Sequence, residues 1–147
     1  MKIAIGSDHR GLDLKQKVIK LVTEAGHEYK DFGAYSEASV DYPNVAEVVG
    51  KAVASGKYEF GILICGTGIG MSMAANKVGG VRAAVCHNDF TCEMARRHND
   101  ANVLCLGGRV LDDPTIAALV RLFVRTPFEG GRHLRRVKKI SDLDRGR

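Results

Sequence analysis

The stretch Glu59-Phe60-Gly61-Ile62-Leu63-Ile64-Cys65-Gly66-Thr67-Gly68-Ile69-Gly70-Met71-Ser72-Met73-Ala74-Ala75-Asn76 decides how this chain folds. Ile62-Leu63-Ile64 is a short apolar run without polar alternation, which suits a strand covered on both faces of a parallel sheet. Gly66, Gly68 and Gly70 then let the backbone turn sharply and approach a ligand. Residues 71–76 are good helix formers, so the pattern predicts a helix starting at the end of the turn. Strand, glycine turn and helix N-terminus together aim free N–H groups and a positive dipole end at one point. Such a point favours an anion. Cys65 stands at its edge.

Outward from this stretch the same alternation repeats. Residues 3–8 read as a first strand ending in the polar loop Asp8-His9-Arg10-Gly11. Leu12, Leu14, Val18, Leu21 and Val22 then recur at helical spacing, and Gly26 stops that helix. Residues 27–32 form a weaker strand, 34–44 a loop containing Asp41-Tyr42-Pro43, and 45–55 a helix ended by Gly56. Beyond the central stretch come a strand at 81–86, a helix at 88–97 with Asp89 as its cap, and a strand at 102–106. Gly107-Gly108-Arg109 turns out of that strand, and Asp113-Pro114 opens a further helix with Pro at its preferred first position. The segment 116–124 is apolar on nearly every face except at Arg121, which predicts packing on another chain and hence a homo-oligomer.

Five strand–helix alternations with short glycine-bearing turns imply right-handed βαβ units. The expected fold is α/β: a three-layer αβα, Rossmann-like, open parallel five-stranded sheet. It forms one domain over 1–147, with a C-terminal basic helix or tail from about 129 packed on it or on a partner subunit. Ligands on such sheets bind beyond the carboxyl ends of the strands. Asp8-His9, Cys65-Gly66-Thr67 and Gly107-Gly108-Arg109 all fall on that rim.

The 147 residues suffice for one real core, and 45% hydrophobic with 27% charged is ordinary for a soluble globular protein. No apolar run approaches the roughly 20 residues of a membrane helix. Met1-Lys2-Ile3 does not open a signal peptide. Cys65, Cys86, Cys92 and Cys105 lack close-paired metal spacing, so reduced thiols in a cytoplasmic protein and no metal are expected. The net charge of +5 is uneven: residues 121–147 hold nine Lys or Arg against three acids, +6, leaving −1 elsewhere. A basic tail can bind nucleic acid, but with no Trp and only Phe123 and Phe128 nearby, base stacking is poorly supplied. A compact phosphorylated ligand fits better.

Each motif has a plain reading beside the functional one. Gly66-x-Gly68-x-Gly70 has neither the dinucleotide spacing nor a phosphate-loop ending, and by itself reads equally as an anion cradle or a tight turn. Thr67 adds a hydroxyl donor. A cysteine is usually a small core residue, yet Cys65 sits where a helix N-terminus favours a thiolate, making it a usable base. His98, after Arg97 at a helix end, reads as a dipole cap or a catalytic group. His9 beside Asp8 lines the rim, while His27 and His133 read as surface residues. Arg132 and Arg136, four apart, could grip one phosphate or form an ordinary exposed face. Arg135, Lys138 and Lys139 read as a solvated basic side.

With these residues assembled, the sequence closely resembles the type B ribose-5-phosphate isomerases, which belong with the galactose-6-phosphate isomerase subunits. The likeness spans nearly the whole chain. Ile5-Gly6-Ser7-Asp8-His9, Ser39-Val40-Asp41-Tyr42-Pro43, Cys65-Gly66-Thr67-Gly68-Ile69-Gly70-Met71-Ser72, Ala75-Asn76-Lys77, Arg97-His98-Asn99 and Thr126-Pro127-Phe128-Glu129-Gly130-Gly131-Arg132-His133 carry it. The resemblance implies cofactor-free and metal-free interconversion of an aldose phosphate and a ketose phosphate. It implies Cys65 as the base, with Thr67 and the N–H groups of Gly66, Gly68, Ile69 and Gly70 holding the enediolate oxygen. His98 would protonate the ring oxygen during opening. Asp8, His9, Tyr42 and Asn99 would contact sugar hydroxyls or assist ring opening, and Arg109, Arg132 and Arg136 would bind phosphate. It further implies a site at a subunit interface, in a dimer or tetramer. A subgroup uses a glutamate as base; Met71 occupies that position here, so the chain is of the cysteine type. Ribose 5-phosphate and ribulose 5-phosphate are the expected pair. Allose or galactose 6-phosphate is the rival within the class, and a non-catalytic sugar-phosphate-binding protein the rival outside it. Neither nucleic acid nor membrane is an expected partner.

Overall fold

The computed structural model describes residues 1–36 and 38–144; residues 145–147 of the basic tail lie outside them. Five strands and six helices alternate: β1 (Lys2–Ser7), α1 (Leu12–Glu24), β2 (Glu28–Asp31), α2 (Tyr42–Ala54), β3 (Phe60–Cys65), α3 (Ile69–Ala75), β4 (Ala83–Val85), α4 (Asp89–Arg97), β5 (Val103–Gly107), α5 (Asp113–Arg125) and α6 (Arg132–Asp142). The sheet order is β2-β1-β3-β5-β4 and every pairing is parallel. The expected α/β architecture holds.

The central strands owe their continuous apolar runs to two cores. Ile62 and Ile64 of β3 pack with Ile3, Ile5, Leu104 and Leu106 under α1, α4 and α5. Leu63 points to the other face, among Ala4, Val103 and Cys105 under α2 and α3. Successive side chains of a strand alternate faces, so a strand covered twice must be apolar at every position.

Local chemistry shifts some boundaries. α2 starts at Tyr42, three residues into the expected loop, because Pro43 is pre-organised for a first helical turn. Asn88, not Asp89, caps α4: its side chain accepts from the Thr91 N–H, and Thr91 answers in a capping box. β4 covers only 83–85, since the Arg82 N–H donates to the Asn102 side chain at 2.7 Å instead of joining a ladder.

α5 overturns one expectation. Its apolar residues face this chain, not another: Ile116, Leu119, Val120 and Phe123 are buried in the domain's own core, and Leu122 and Val124 pack against it. The sheet, α1 and α4 cover its inner sides, while Pro114, Ala118, Arg121 and Arg125 form an exposed stripe. It therefore gives no ground for an oligomer. α6 is the opposite case, with only His133 and Val137 buried while Leu134 and Ile140 are exposed. No helix among the described residues is long and apolar enough to cross a membrane.

Candidate active site

β1 and β3 are neighbours whose outgoing connections run to opposite sides of the sheet, toward β2 and toward β4. Their carboxyl ends therefore bound a crevice at a topological switch point. There the Asp8 N–H donates to the Ile64 carbonyl at 3.0 Å, tying the two strand ends together. The Asp8 Oδ1 accepts from the N–H groups of Arg10 and Gly11 at 3.1 and 3.0 Å and fixes the loop that enters α1. A cavity of about 270 Å³ opens here, lined by Asp8, Cys65, Gly66, Arg109 and Asp113 among others. A neighbouring groove of about 380 Å³ between α1 and α5 has no thiol or imidazole in its lining, so the smaller cavity is the candidate.

Cys65 ends β3 half-buried at this lip, and its Sγ accepts from the Gly68 N–H at 3.1 Å. That turn needs glycine: Gly68 has φ +80°, and a Cβ there would lie 3.1 Å from the Leu106 carbonyl carbon. Thr67 Oγ1 accepts from the Ile69 N–H at 3.2 Å. Two of the amides expected to serve an anion are thus engaged, one by the sulfur and one by the hydroxyl. The first intrahelical bond of α3 runs from the Ser72 N–H to the Gly68 carbonyl, so the Gly70 and Met71 N–H groups stay outside the helix ladder.

The surrounding side chains converge on this loop. Tyr42 lies over Gly70 so closely that a Cβ there would sit 2.6 Å from the ring. The Arg109 side chain runs over Gly66, and the Arg109 backbone N–H donates to the Gly66 carbonyl at 3.0 Å. His9 accepts at Nδ1 from the Val40 N–H at 3.3 Å, which leaves the ring proton of a neutral imidazole on Nε2. The start of the segment that leads through Val40 to Tyr42 is anchored by the buried Lys15, which pairs with Asp31 at 2.9 Å and also bonds the Ala34 carbonyl. The other three cysteines are buried, and burial pushes the Cys105 thiol well above its ordinary range. Cys65 is the reachable sulfur.

His98, Asn99, Arg132 and Arg136 are elsewhere. A helix joining two parallel strands runs back against them, so α4 begins at the carboxyl end with Asn88 and finishes at the amino end with His98. The Glu129 N–H donates to the Arg97 carbonyl at 3.0 Å, which brings the start of α6 to the same end. There the His98 and His133 rings stack, with centroids 4.1 Å apart and planes at 11°. Glu129 reaches both, at 3.8 Å from His98 Nε2 and 3.5 Å from His133 Nε2. Burial first, then the neighbouring His98 and Arg132, holds His133 below its ordinary imidazole value. The length of a six-residue strand such as β3, roughly 16 Å, lies between the carboxyl rim and this end of the sheet.

Residues 3–140 match the Ribose/Galactose Isomerase family. The chain belongs to this family. Ribose-5-phosphate isomerase B of Escherichia coli is 43% identical over 146 residues, covering 99% of this chain and 98% of that protein. A structure of Clostridium thermocellum ribose-5-phosphate isomerase B matches with a TM-score of 0.95 at 48% identity, covering 98% of this chain and 97% of the other. A Mycoplasma genitalium ribose-5-phosphate isomerase B with bound ribulose-5-phosphate matches with a TM-score of 0.94 at 42% identity, covering 99% and 97%.

Within this member of the ribose/galactose isomerase family, the predicted site residues therefore divide in two. Asp8, His9, Tyr42, Cys65, Gly66, Thr67, Gly68, Ile69, Gly70 and Arg109 gather at the carboxyl rim. His98, Asn99, Arg132 and Arg136 stand at the far end. His133 is a correction, being buried and stacked where a surface residue was expected. Its spacing of four from Val137 was the signal that both share the inner face of α6. Glu129 carried no such mark.

Proposed function

We propose that this chain is an aldose–ketose isomerase that interconverts D-ribose 5-phosphate and D-ribulose 5-phosphate through an enediolate, as a homodimer with shared sites. The observation that carries the reading is the Cys65 sulfur at the lip of the switch-point cavity, with an amide donor aimed at it. The names of the relatives support the substrate. The four free cysteines suit a reducing cytoplasm.

The chemistry then follows from what each group can do. His98 gives a proton to the ring oxygen as its bond to C1 breaks, ordinary general acid work for an imidazole, while the anomeric hydroxyl gives up its proton to the Asp8 carboxylate and becomes the aldehyde oxygen. The Cys65 thiolate takes the proton from C2 of the open aldose, leaving an enediolate. The same thiol returns that proton to C1, which yields the ketose. Meanwhile the hydroxyl protons redistribute between O1 and O2. The free N–H groups of Gly70 and Met71 and the Thr67 hydroxyl are the donors available for the enediolate oxygen, and such donors are commonly worth about 3 kcal/mol each. Arg109 from the rim and the Arg132–Arg136 pair hold the phosphate by charge-assisted bonds. Asp8, His9, Tyr42 and Asn99 contact the sugar hydroxyls.

One chain cannot bring the two groups of residues onto one small sugar, because a strand's length lies between them. A two-fold pairing that sets the amino end of one copy across the carboxyl rim of the other supplies both groups twice. Exposed Tyr42, Ile69, Met73 and Phe90 around the rim give such a pairing apolar surface. The test is ketose formation from ribose, allose and galactose phosphates, compared as kcat/KM. Ribose 5-phosphate should lead, by a margin of about 10–200-fold if one methylene's fit decides. No ketose from any of them would reject the reading.

A further inference from the structure

Two imidazoles and a carboxylate meet at the amino end of the sheet, and the proposed isomerisation uses one of the three. We propose that His98, Glu129 and His133 form a binding site for a divalent transition metal of the zinc class, and that a metal held there inhibits the enzyme by occupying the His98 imidazole. The inhibitory half rests on the reading of His98 as the ring-opening acid; the binding half does not.

The geometry is close to what the ion needs. One ligand atom from each residue lies within 4.8 Å of the other two. Two ligand atoms each about 2.1 Å from a tetrahedral zinc stand about 3.4 Å apart. The Glu129 carboxylate lies 3.5 Å from His133 Nε2 and 3.8 Å from His98 Nε2, so small rotations complete the set. The three residues come from three places, the end of α4, the connection after α5 and the first turn of α6. Tertiary structure therefore holds them together in advance. Glu129 is fixed through its backbone to Arg97, and the His133 side chain is 9% exposed. Two nitrogens, one carboxylate oxygen and an open fourth position make a donor set that zinc accepts and that magnesium and calcium, which take all-oxygen shells, do not.

Two features limit the affinity. The stacked rings direct their lone pairs side by side, so one ring must turn, and His98 at 37% side-chain exposure has the room. The Arg132 Nε lies 3.5 Å from His133 Nε2 and must swing away into solvent, to which Arg132 is already exposed. The charges of Arg132 and Arg136 oppose a cation, and Glu129 offsets one of them. The result is a site that fills and empties with the free metal concentration, not a permanent structural zinc.

The experiment is zinc titration of the full chain against a chromogenic chelator, with isomerase activity read in parallel. Wild type and Cys65→Ser should each bind one zinc per chain. Glu129→Gln and His133→Asn, checked for native circular dichroism, should bind at least about tenfold more weakly, as losing even an outer partner of a metal site costs that much. Excess magnesium should not compete, and wild-type turnover should fall with zinc occupancy and return with a chelator. No binding to wild type, binding unchanged in both cluster variants, or binding lost in Cys65→Ser alone would overturn the site. Zinc bound with the expected pattern but without loss of turnover would overturn its inhibitory role. A chain with no isomerase activity would fail the functional reading, while the titration would still decide the site.

Discussion

The carboxyl end of the sheet presents a thiol, the Asp8 carboxylate and a run of backbone amides, whereas the amino end presents two stacked imidazoles, a carboxylate and two arginines. The first group is positioned by strand register and a glycine turn, with Asp8 bonded to Ile64 and Gly108 to Cys65. The second hangs from helix ends, where α4 stops and α6 starts. Fixed donors for a developing oxyanion need the stiffer frame. Groups that grip a phosphate or move a proton to a ring oxygen tolerate the looser one. On the proposed reading the two ends are complementary halves, and damage to each should look different in kinetics.

The largest effect should come from the stiffer half. Cys65→Ala removes the proposed proton shuttle and should lower kcat by at least about 10²–10⁴-fold, while ribose 5-phosphate still binds in calorimetry. Near-normal turnover would take the base away from this sulfur. At the looser half, Arg136→Ala should raise KM for ribose 5-phosphate about tenfold or more with kcat little changed, since it removes a charge-assisted bond to a non-reacting group. An unchanged KM would remove Arg136 from the phosphate site.

Much of the carboxyl-rim half was legible in the sequence. The unbroken apolar run at Ile62-Leu63-Ile64 and the glycines after it declared a doubly covered strand and a ligand turn, because burial on two faces leaves no polar alternation. Cys65, Asp8 and Arg109 followed from chain order, each sitting just past a strand. α5 was misread for a physical reason: a helix covered by a sheet and two helices carries the same all-round apolar pattern as one buried against a partner. His133 was missed because α6 is charged at most positions, so its narrow buried stripe of His133 and Val137 barely registers. The separation of His98 from Cys65 follows from α4 running back against the parallel strands it joins, a consequence of the βαβ units that the motif around His98 does not announce.

Smaller effects sharpen the comparison along α4, the helix that spans the two ends. Asn88→Ala removes its N-cap and should cost about 1 kcal/mol of stability by denaturant unfolding, with kcat unaffected. A kinetic effect there would mean that the helix tunes the site and does not merely carry His98. The smallest concerns pH. His133 is held below the ordinary 6.5 in the folded chain, so as pH falls through 6.5 the unfolded state binds the proton first and folded stability declines. Wild type should therefore lose more Tm between about pH 7.5 and 5.5 than His133→Asn does. Equal losses would contradict the burial argument.

The shared site is tested most directly by mixing two inactive variants, Cys65→Ala and His98→Asn, after dissociating and reassociating them together. If each site takes Cys65 from one copy and His98 from the other, every mixed dimer regains one intact site, and random pairing restores roughly a quarter of wild-type turnover. If the mixture stays as inactive as its parents while mixed dimers demonstrably form, both residues act within one chain and the split site is wrong.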